Sequence, residues 1–108
     1  METLSIVIPV FNEVNTMKEV IGRVREVHLP QVASREIVIV DDYSTDGTRD
    51  ILATYKDQIA FKIIFHDRNR GKGAALRTGI AQTTGSIVII QDADLEYDPQ
   101  EYPKLLAP

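Results

Sequence analysis

Glu36-Ile37-Val38-Ile39-Val40-Asp41-Asp42 is an apolar, β-branched run that stops at two carboxylates. Hydrophobicity that continues rather than alternates marks a strand buried on both faces, as in parallel sheets covered by helices. The same grammar stands upstream, where Leu4-Ser5-Ile6-Val7-Ile8-Pro9-Val10 runs into Asn12-Glu13, and downstream, where Ser86-Ile87-Val88-Ile89-Ile90-Gln91 runs into Asp92-Ala93-Asp94. Phe61-Lys62-Ile63-Ile64-Phe65-His66 is a further such run, less uniformly apolar and therefore expected nearer an edge of the sheet.

Helical patterns fill the intervals. Val14, Met17, Val20, Ile21, Val24 and Val27 recur at helical spacing and predict a helix over about 13–27, with Asn12 or Asn15 as its cap. After a turn at Ser44, Asp46 and Gly47, the shared face of Ile51, Leu52 and Tyr55 predicts a second helix over about 47–57. Ala74, Ala75, Leu76, Ile80 and Ala81 predict a small-residue helix that can pack closely on a sheet and stops near Thr83-Thr84-Gly85. Asp98-Pro99 supplies an N-cap and a first-turn proline for a last helix through about Leu106. The order β-α-β-α-β-α-β-α predicts an α/β fold: a doubly wound, mainly parallel, Rossmann-like sheet of four βα units with helices on both faces and right-handed crossovers.

A length of 108 residues is read as a single domain over 1–108. Twelve Lys and Arg against sixteen Asp and Glu give a net charge of −4, which leaves no basic surplus for a nucleic-acid backbone. With 44% hydrophobic and 26% charged residues the chain is expected to bury a core. The absence of cysteine removes disulfides and thiolate metal sites, and the start lacks the basic-then-apolar pattern of a signal peptide. No apolar run approaches the roughly 20 residues of a spanning helix. A cytoplasmic location is therefore expected, with any membrane association coming from sequence beyond Pro108 or from a partner.

Open parallel sheets bind ligands beyond the carboxyl ends of their strands, and here those ends carry Glu13, Asp41, Asp42, Asp92 and Asp94. Five carboxylates expected at one rim would raise one another's pKa unless a cation or donors compensate, and a bound metal is the economical compensation. Asp92 and Asp94, two apart at a strand end, can aim at one ion, and hard oxygen ligands suit Mg²⁺ or Mn²⁺. Such ions fill their remaining positions with water and substrate phosphates, a vacancy that suits a nucleoside diphosphate. Acidic residues also follow strands and cap helices for purely structural reasons, so Glu96 is either a third ligand or a solvated loop residue, and Asp98 is read as a cap. At Asp41-Asp42, either Asp42 or Ser44 simply ends the strand and caps the next helix, or a carboxylate recognises a base imide, with Glu13 accepting from ribose hydroxyls. Gly71-Lys72-Gly73 matches no standard phosphate loop; Lys72 and the neighbouring amides contact phosphate, or the glycines allow a tight turn and close helix packing. Arg68, Arg70 and Arg77 read as solvated or ion-paired, and His28 and His66 lack ligand spacing to a partner.

Together, Ile6-Val7-Ile8-Pro9-Val10-Phe11-Asn12-Glu13, Val40-Asp41-Asp42-Tyr43-Ser44-Thr45-Asp46-Gly47-Thr48, Asn69-Arg70-Gly71-Lys72-Gly73 and Asp92-Ala93-Asp94-Leu95-Glu96 resemble the family 2 glycosyltransferases of GT-A fold over the whole chain. The last motif is similar to that of dolichyl-phosphate mannose synthases and bacterial polyprenyl-phosphate glycosyltransferases. The resemblance implies that Pro9, Phe11, Glu13, Val40 and Asp42 surround a nucleoside with Asp41 beside them. It implies that Asp92 and Asp94 hold a divalent metal on the donor diphosphate, with Ala93 lining the pocket and Glu96 near the metal. Phe11 stands where many relatives have Tyr, keeping a stacking face without the hydroxyl, and Glu96 replaces what is often Gln or a small polar residue.

The implied chemistry is inverting transfer of a sugar from a UDP- or GDP-sugar to a polyprenyl phosphate or a saccharide. The resemblance covers only the nucleotide-binding half, so an acceptor-binding half is expected beyond Pro108, along with any general base. The chain alone is expected to bind donor with little or no turnover, the full-length protein to work at the cytoplasmic face of the membrane, and the outer edge of the last strand to pair with another copy. Three rivals stand beside this reading. A receiver-type phosphoacceptor domain has its paired acids after the first strand rather than the second, and a Lys beyond a fifth strand. A haloacid-dehalogenase-type phosphatase has Asp-x-Asp early in the chain with Thr or Val following, where Leu95 follows here. The third is a non-catalytic interaction module.

Overall fold

Strands β1 (Glu2–Val10), β2 (Val32–Asp41), β3 (Phe61–Phe65) and β4 (Ile87–Ile90) pair in parallel in the order β3-β2-β1-β4. Helices α1 (Met17–Glu26), α2 (Thr48–Ala53) and α3 (Lys72–Ala81) connect them, and a 3₁₀ turn at Pro99–Glu101 leads into α4 (Tyr102–Leu106). This is a computed structural model, and it describes residues 2–95 and 98–106. The expected α/β architecture of four βα units is present, and β3 lies at an edge as its mixed composition required. The order also separates the chain from receiver domains, whose flavodoxin-like sheet runs 2-1-3-4-5 with β1 between β2 and β3. Here β2 stands between β1 and β3, and the direction of winding reverses between β1 and β4.

Period-two alternation sends the two sets of strand side chains to different helices. Leu4, Ile6, Ile8 and Val10 of β1 and Ile37 and Ile39 of β2 form one core with Met17, Val20, Ile21 and Val24 of α1, Leu52 of α2 and Tyr102 of α4. On the opposite face α3 lies over β1 and β2. It approaches so closely that a Cβ added at Gly79 would stand 2.5 Å from Val7 Cγ1 and 3.2 Å from Val40 Cγ2, which is why this helix is built of small residues. Val88 and Ile90 of β4, in register with Ser5 and Val7, share that face but lie beyond the reach of α3, and they stay 40% and 39% exposed.

Glu36 ties the base of the sheet to the end of α3. Its Oε2 accepts from Ser5 Oγ at 2.5 Å, from Thr84 N at 2.5 Å and from Thr84 Oγ1 at 2.9 Å, and Lys62 Nζ lies 3.2 Å from Oε1. Burial pushes this carboxyl up, but the donors from Ser5, Thr84 and Lys62 outweigh it and hold the pKa down at about 2.

Element ends depart from expectation where turns intervene. Thr16 N and Met17 N both donate to Glu13 O, at 3.2 and 3.0 Å, so 13–16 forms a turn and α1 starts at Met17 rather than near 13. Neither Asn12 nor Asn15 caps it; Thr16 occupies the cap without a side-chain capping bond. Helix α2 is six residues long and begins after Gly47, not after a cap by Asp42 or Ser44. Asp98 does cap, its Oδ1 accepting from Gln100 N at 3.0 Å.

Candidate functional site

Where the winding reverses, between the carboxyl ends of β1 and β4, the surface opens into a cleft of about 330 Å³. This is the position at which open α/β sheets bind ligands. One wall is the loop that leaves β1. Asn12 adopts a left-handed φ of 53°, and its backbone N–H donates to Ser44 Oγ at 2.8 Å while its side-chain Oδ1 accepts from Thr45 N at 2.7 Å. Glu13 N donates to Thr48 Oγ1 at 3.1 Å and Val14 N to Asp46 Oδ2 at 3.2 Å. The Ser44-Thr45-Asp46-Gly47-Thr48 turn thus holds the loop after β1, presenting Pro9, Phe11 and Glu13 to the cleft with the Phe11 ring 46% exposed.

Asp41 and Asp42 do not act as a pair. Consecutive residues at a strand end leave on opposite faces. Asp41 turns to the α1 and α2 side, away from the cleft, where its Oδ2 accepts from Ser44 N at 3.0 Å and lies 3.5 Å from Arg49 Nε. The Arg49 guanidinium is itself stacked over the Tyr43 ring at 5.6 Å and the Phe65 ring at 4.8 Å. Asp42 turns to the α3 side and lines the cleft. Its Oδ1 accepts from Arg70 N at 2.8 Å and faces His66 Nδ1 at 2.9 Å, and its Oδ2 accepts from Gly71 N at 2.8 Å. Burial pushes the Asp42 carboxyl up; the His66 hydrogen bond and the two amides outweigh it and hold the pKa below the ordinary carboxylate range. Of the five carboxylates expected at one rim, Glu13, Asp42, Asp92 and Asp94 line the cleft and Asp41 does not; Asp41 and Asp42 each also have protein partners. Val40 is likewise away from the lining, fully buried beneath α3.

His66, passed over in the sequence for want of a ligand partner, is 5% exposed and bridges Asp42 to Thr78 Oγ1, which lies 2.9 Å from its Nε2. Only the register could have revealed it, since Asp41 pairs with Phe65 and so sets Asp42 beside His66. The Gly71 amide is engaged by Asp42, and a Cβ at Gly71 would meet nothing, so this glycine serves its φ of 93° rather than close packing.

Across the cleft, Asp92, Ala93 and Asp94 follow β4, and Lys72 at the start of α3 sends Nζ to Asp92 Oδ1 at 2.6 Å. Asp94 is exposed, Asp92 partly so, and Ala93 is buried at the cleft floor. Among the described residues no group of three or more His, Cys, Asp and Glu is disposed to hold a metal. The two carboxylates still fit Mg²⁺ or Mn²⁺, ions that commonly take one or two protein carboxylates and complete their shell with water and phosphate oxygens. That Asp92 already attracts an ammonium supports the fit. Glu96, expected near the metal, lies outside the described residues. No helix among those residues is long and apolar enough to cross a membrane.

The family model described as Glycosyl transferase family 2 matches residues 5–108. The undecaprenyl-phosphate 4-deoxy-4-formamido-L-arabinose transferase of Pseudomonas syringae pv. syringae (strain B728a) is 42% identical over 106 residues, which cover 95% of this chain and 31% of that protein. Among solved structures, S. aureus TarS 1-349 in complex with UDP-GlcNAc superposes with a TM-score of 0.79 and 27% identity over 94% of this chain and 29% of that one. The mannosyltransferase PcManGT from Pyrobaculum calidifontis in complex with GDP-Man and Mn²⁺ gives 0.76 and 31% over 86% and 28%. The chain spans about a third of the length of the curated relatives it matches.

Proposed function

The chain belongs to glycosyl transferase family 2, and on that premise we propose that residues 1–108 form the donor-binding part of a glycosyltransferase that moves a sugar from a nucleoside diphosphate to an acceptor with inversion. The observation that carries this reading is the opposition, across one cleft at the winding reversal, of Phe11, Glu13 and Asp42 on one side and Asp92 and Asp94 on the other. Phe11 offers its exposed ring to the base and Glu13 accepts from ribose hydroxyls. Asp42 Oδ2, which holds one amide, retains an acceptor site for a base imide. Val40 and Asp41 support this wall from behind.

Lys72 releases Asp92 on donor binding and turns its ammonium to a diphosphate oxygen. Asp92 and Asp94 would hold a divalent cation, which when bound would supply charge stabilisation for the departing diphosphate. The acceptor is proposed to be a polyprenyl phosphate, after the name of the curated relatives; as an anion at neutral pH it attacks without a strong general base. Acceptor binding then belongs to sequence other than these 108 residues, the full-length enzyme works at the cytoplasmic face of the membrane, and this chain alone binds donor without efficient turnover. The outer edge of β4 is proposed to pair with a second copy of the chain. The receiver and phosphatase alternatives fall with the family assignment.

Thermal unfolding of this chain with UDP and with GDP, each with and without Mn²⁺, tests the donor site. A rise in Tm with one nucleotide that needs Mn²⁺ and disappears in the Asp92→Ala, Asp94→Ala double variant is expected, and it names the base. No shift with either nucleotide, or a shift that survives the double substitution, overturns the reading.

A further inference from the structure

Thr16 stands at the N-cap of α1, where a threonine ordinarily turns its hydroxyl onto the first free amides of its own helix. It makes no such bond. Its Oγ1 donates instead to the carbonyl of Ala93, 2.5 Å away across 77 residues of sequence. The other acceptors in reach, Glu13 Oε2 at 3.3 Å and Glu13 O at 3.5 Å, are far longer, and a hydroxyl has one proton to give.

Ala93 is the residue between the two carboxylates at the far end of the cleft. Its carbonyl belongs to the peptide that joins it to Asp94, and the peptide before it is held as well. The fully buried Gln91 donates through Nε2 to Asp92 O at 3.0 Å while its Oε1 accepts from the Tyr102 hydroxyl at 2.7 Å. Among the described residues, Gln91 N to Val7 O, at 2.9 Å, is the ladder bond that precedes the turn. The backbone that carries the Asp92 and Asp94 side chains is therefore gripped by side chains from elsewhere in the fold, in addition to the direct hold of Lys72 on Asp92. Thr16 does so from the loop that carries Phe11 and Glu13.

We infer that Thr16 is a positioning residue for the Asp92 and Asp94 carboxylates, acting through the Ala93 carbonyl; this rests on the donor-site reading given above. Losing the hydroxyl frees the Ala93–Asp94 peptide to rotate, so the turn that carries the two carboxylates is less ordered before a cation arrives. Binding of the cation then carries the cost of ordering the turn, whereas nucleoside contacts made by Phe11, Glu13 and Asp42 are left as they were.

The test compares the wild-type chain with Thr16→Val, which keeps the shape, and Thr16→Ser, which keeps the hydroxyl. Mn²⁺ affinity is read from the electron paramagnetic resonance of free Mn²⁺ at saturating UDP or GDP, and nucleotide affinity is read separately without Mn²⁺. Thr16→Val is expected to weaken Mn²⁺ binding by about five- to tenfold with nucleotide affinity unchanged, the equivalent of one neutral hydrogen bond. Thr16→Ser restores wild-type binding. Amide hydrogen exchange at Asp94 and Leu95 rises in the ligand-free Val variant alone. If wild-type chain shows no Mn²⁺ binding linked to nucleotide, the donor-site reading fails and this inference with it. If wild type binds and Thr16→Val binds equally well, if Ser fails to rescue, or if Val weakens nucleotide and Mn²⁺ alike, only the positioning role is overturned.

Discussion

Adjacent residues of one chemical type can have unrelated tasks, and Asp41 and Asp42 do. The strand pleat sends the first to Arg49 and the second to His66 and the Arg70 and Gly71 amides. As text they read as a pair of acids at a rim; only their neighbours show that each is held by a separate set of partners. Glu36 was not singled out at all, because one glutamate at the start of an apolar run carries no pattern. Its pKa of about 2 against an ordinary 4.5 makes it a stabilising group above the ordinary value, and that contribution fades as pH falls from about 5 towards 2. The span of the shift corresponds to about 3 kcal/mol. Glu36→Gln should therefore lower the urea midpoint clearly at pH 7, with the gap to wild type narrowing steadily in titrations down to pH 3. A gap that is constant with pH would mean that the charge of Glu36 is immaterial.

At the scale of elements, helix α3 shows why small residues accumulate in one segment. Gly79 faces Val7 and Val40 with no room for a methyl group, whereas Gly22 in α1 has nothing within 4 Å of an added Cβ. Alanine improves helix propensity at both sites by up to about 1 kcal/mol. At Gly79 the overpacking, typically about 1–3 kcal/mol, exceeds that gain, so Gly79→Ala should lower stability while Gly22→Ala should raise it slightly. Chemical denaturation of the two variants checks the contrast, and equal effects would remove the close-packing account of α3. The run of alanines in the sequence announced a helix that packs closely, yet which glycine makes the contact depends on the strands beneath it.

The whole molecule is asymmetric about its sheet. One face carries α1, α2 and α4, the other carries α3 over β1 and β2, and β4 keeps an open edge with Val88 and Ile90 exposed. An exposed apolar strand at a sheet edge is a template for pairing with another chain. The mean mass of the chain in light scattering is therefore expected to climb with concentration, and a Val88→Lys, Ile90→Lys variant is expected to stay monomeric. A wild-type chain that remains monomeric over a wide concentration range would exclude pairing through β4.

The strands, the helices between them and the acids at the strand ends were all legible in the residue string, because hydrophobic period and turn chemistry are local properties of a chain. The resemblance of four ordered motifs then reached the family that the comparisons bear out. What the string could not hold is which strand lies beside which. The order β3-β2-β1-β4 brings Glu13 opposite Asp92 and Asp94 across a cleft, sets His66 beside Asp42, and lets Thr16 reach Ala93. Each of these contacts joins residues far apart in sequence. They exist only once the sheet has been assembled, because hydrogen bonds and ion pairs depend on distances of a few ångströms that no spacing along the chain encodes.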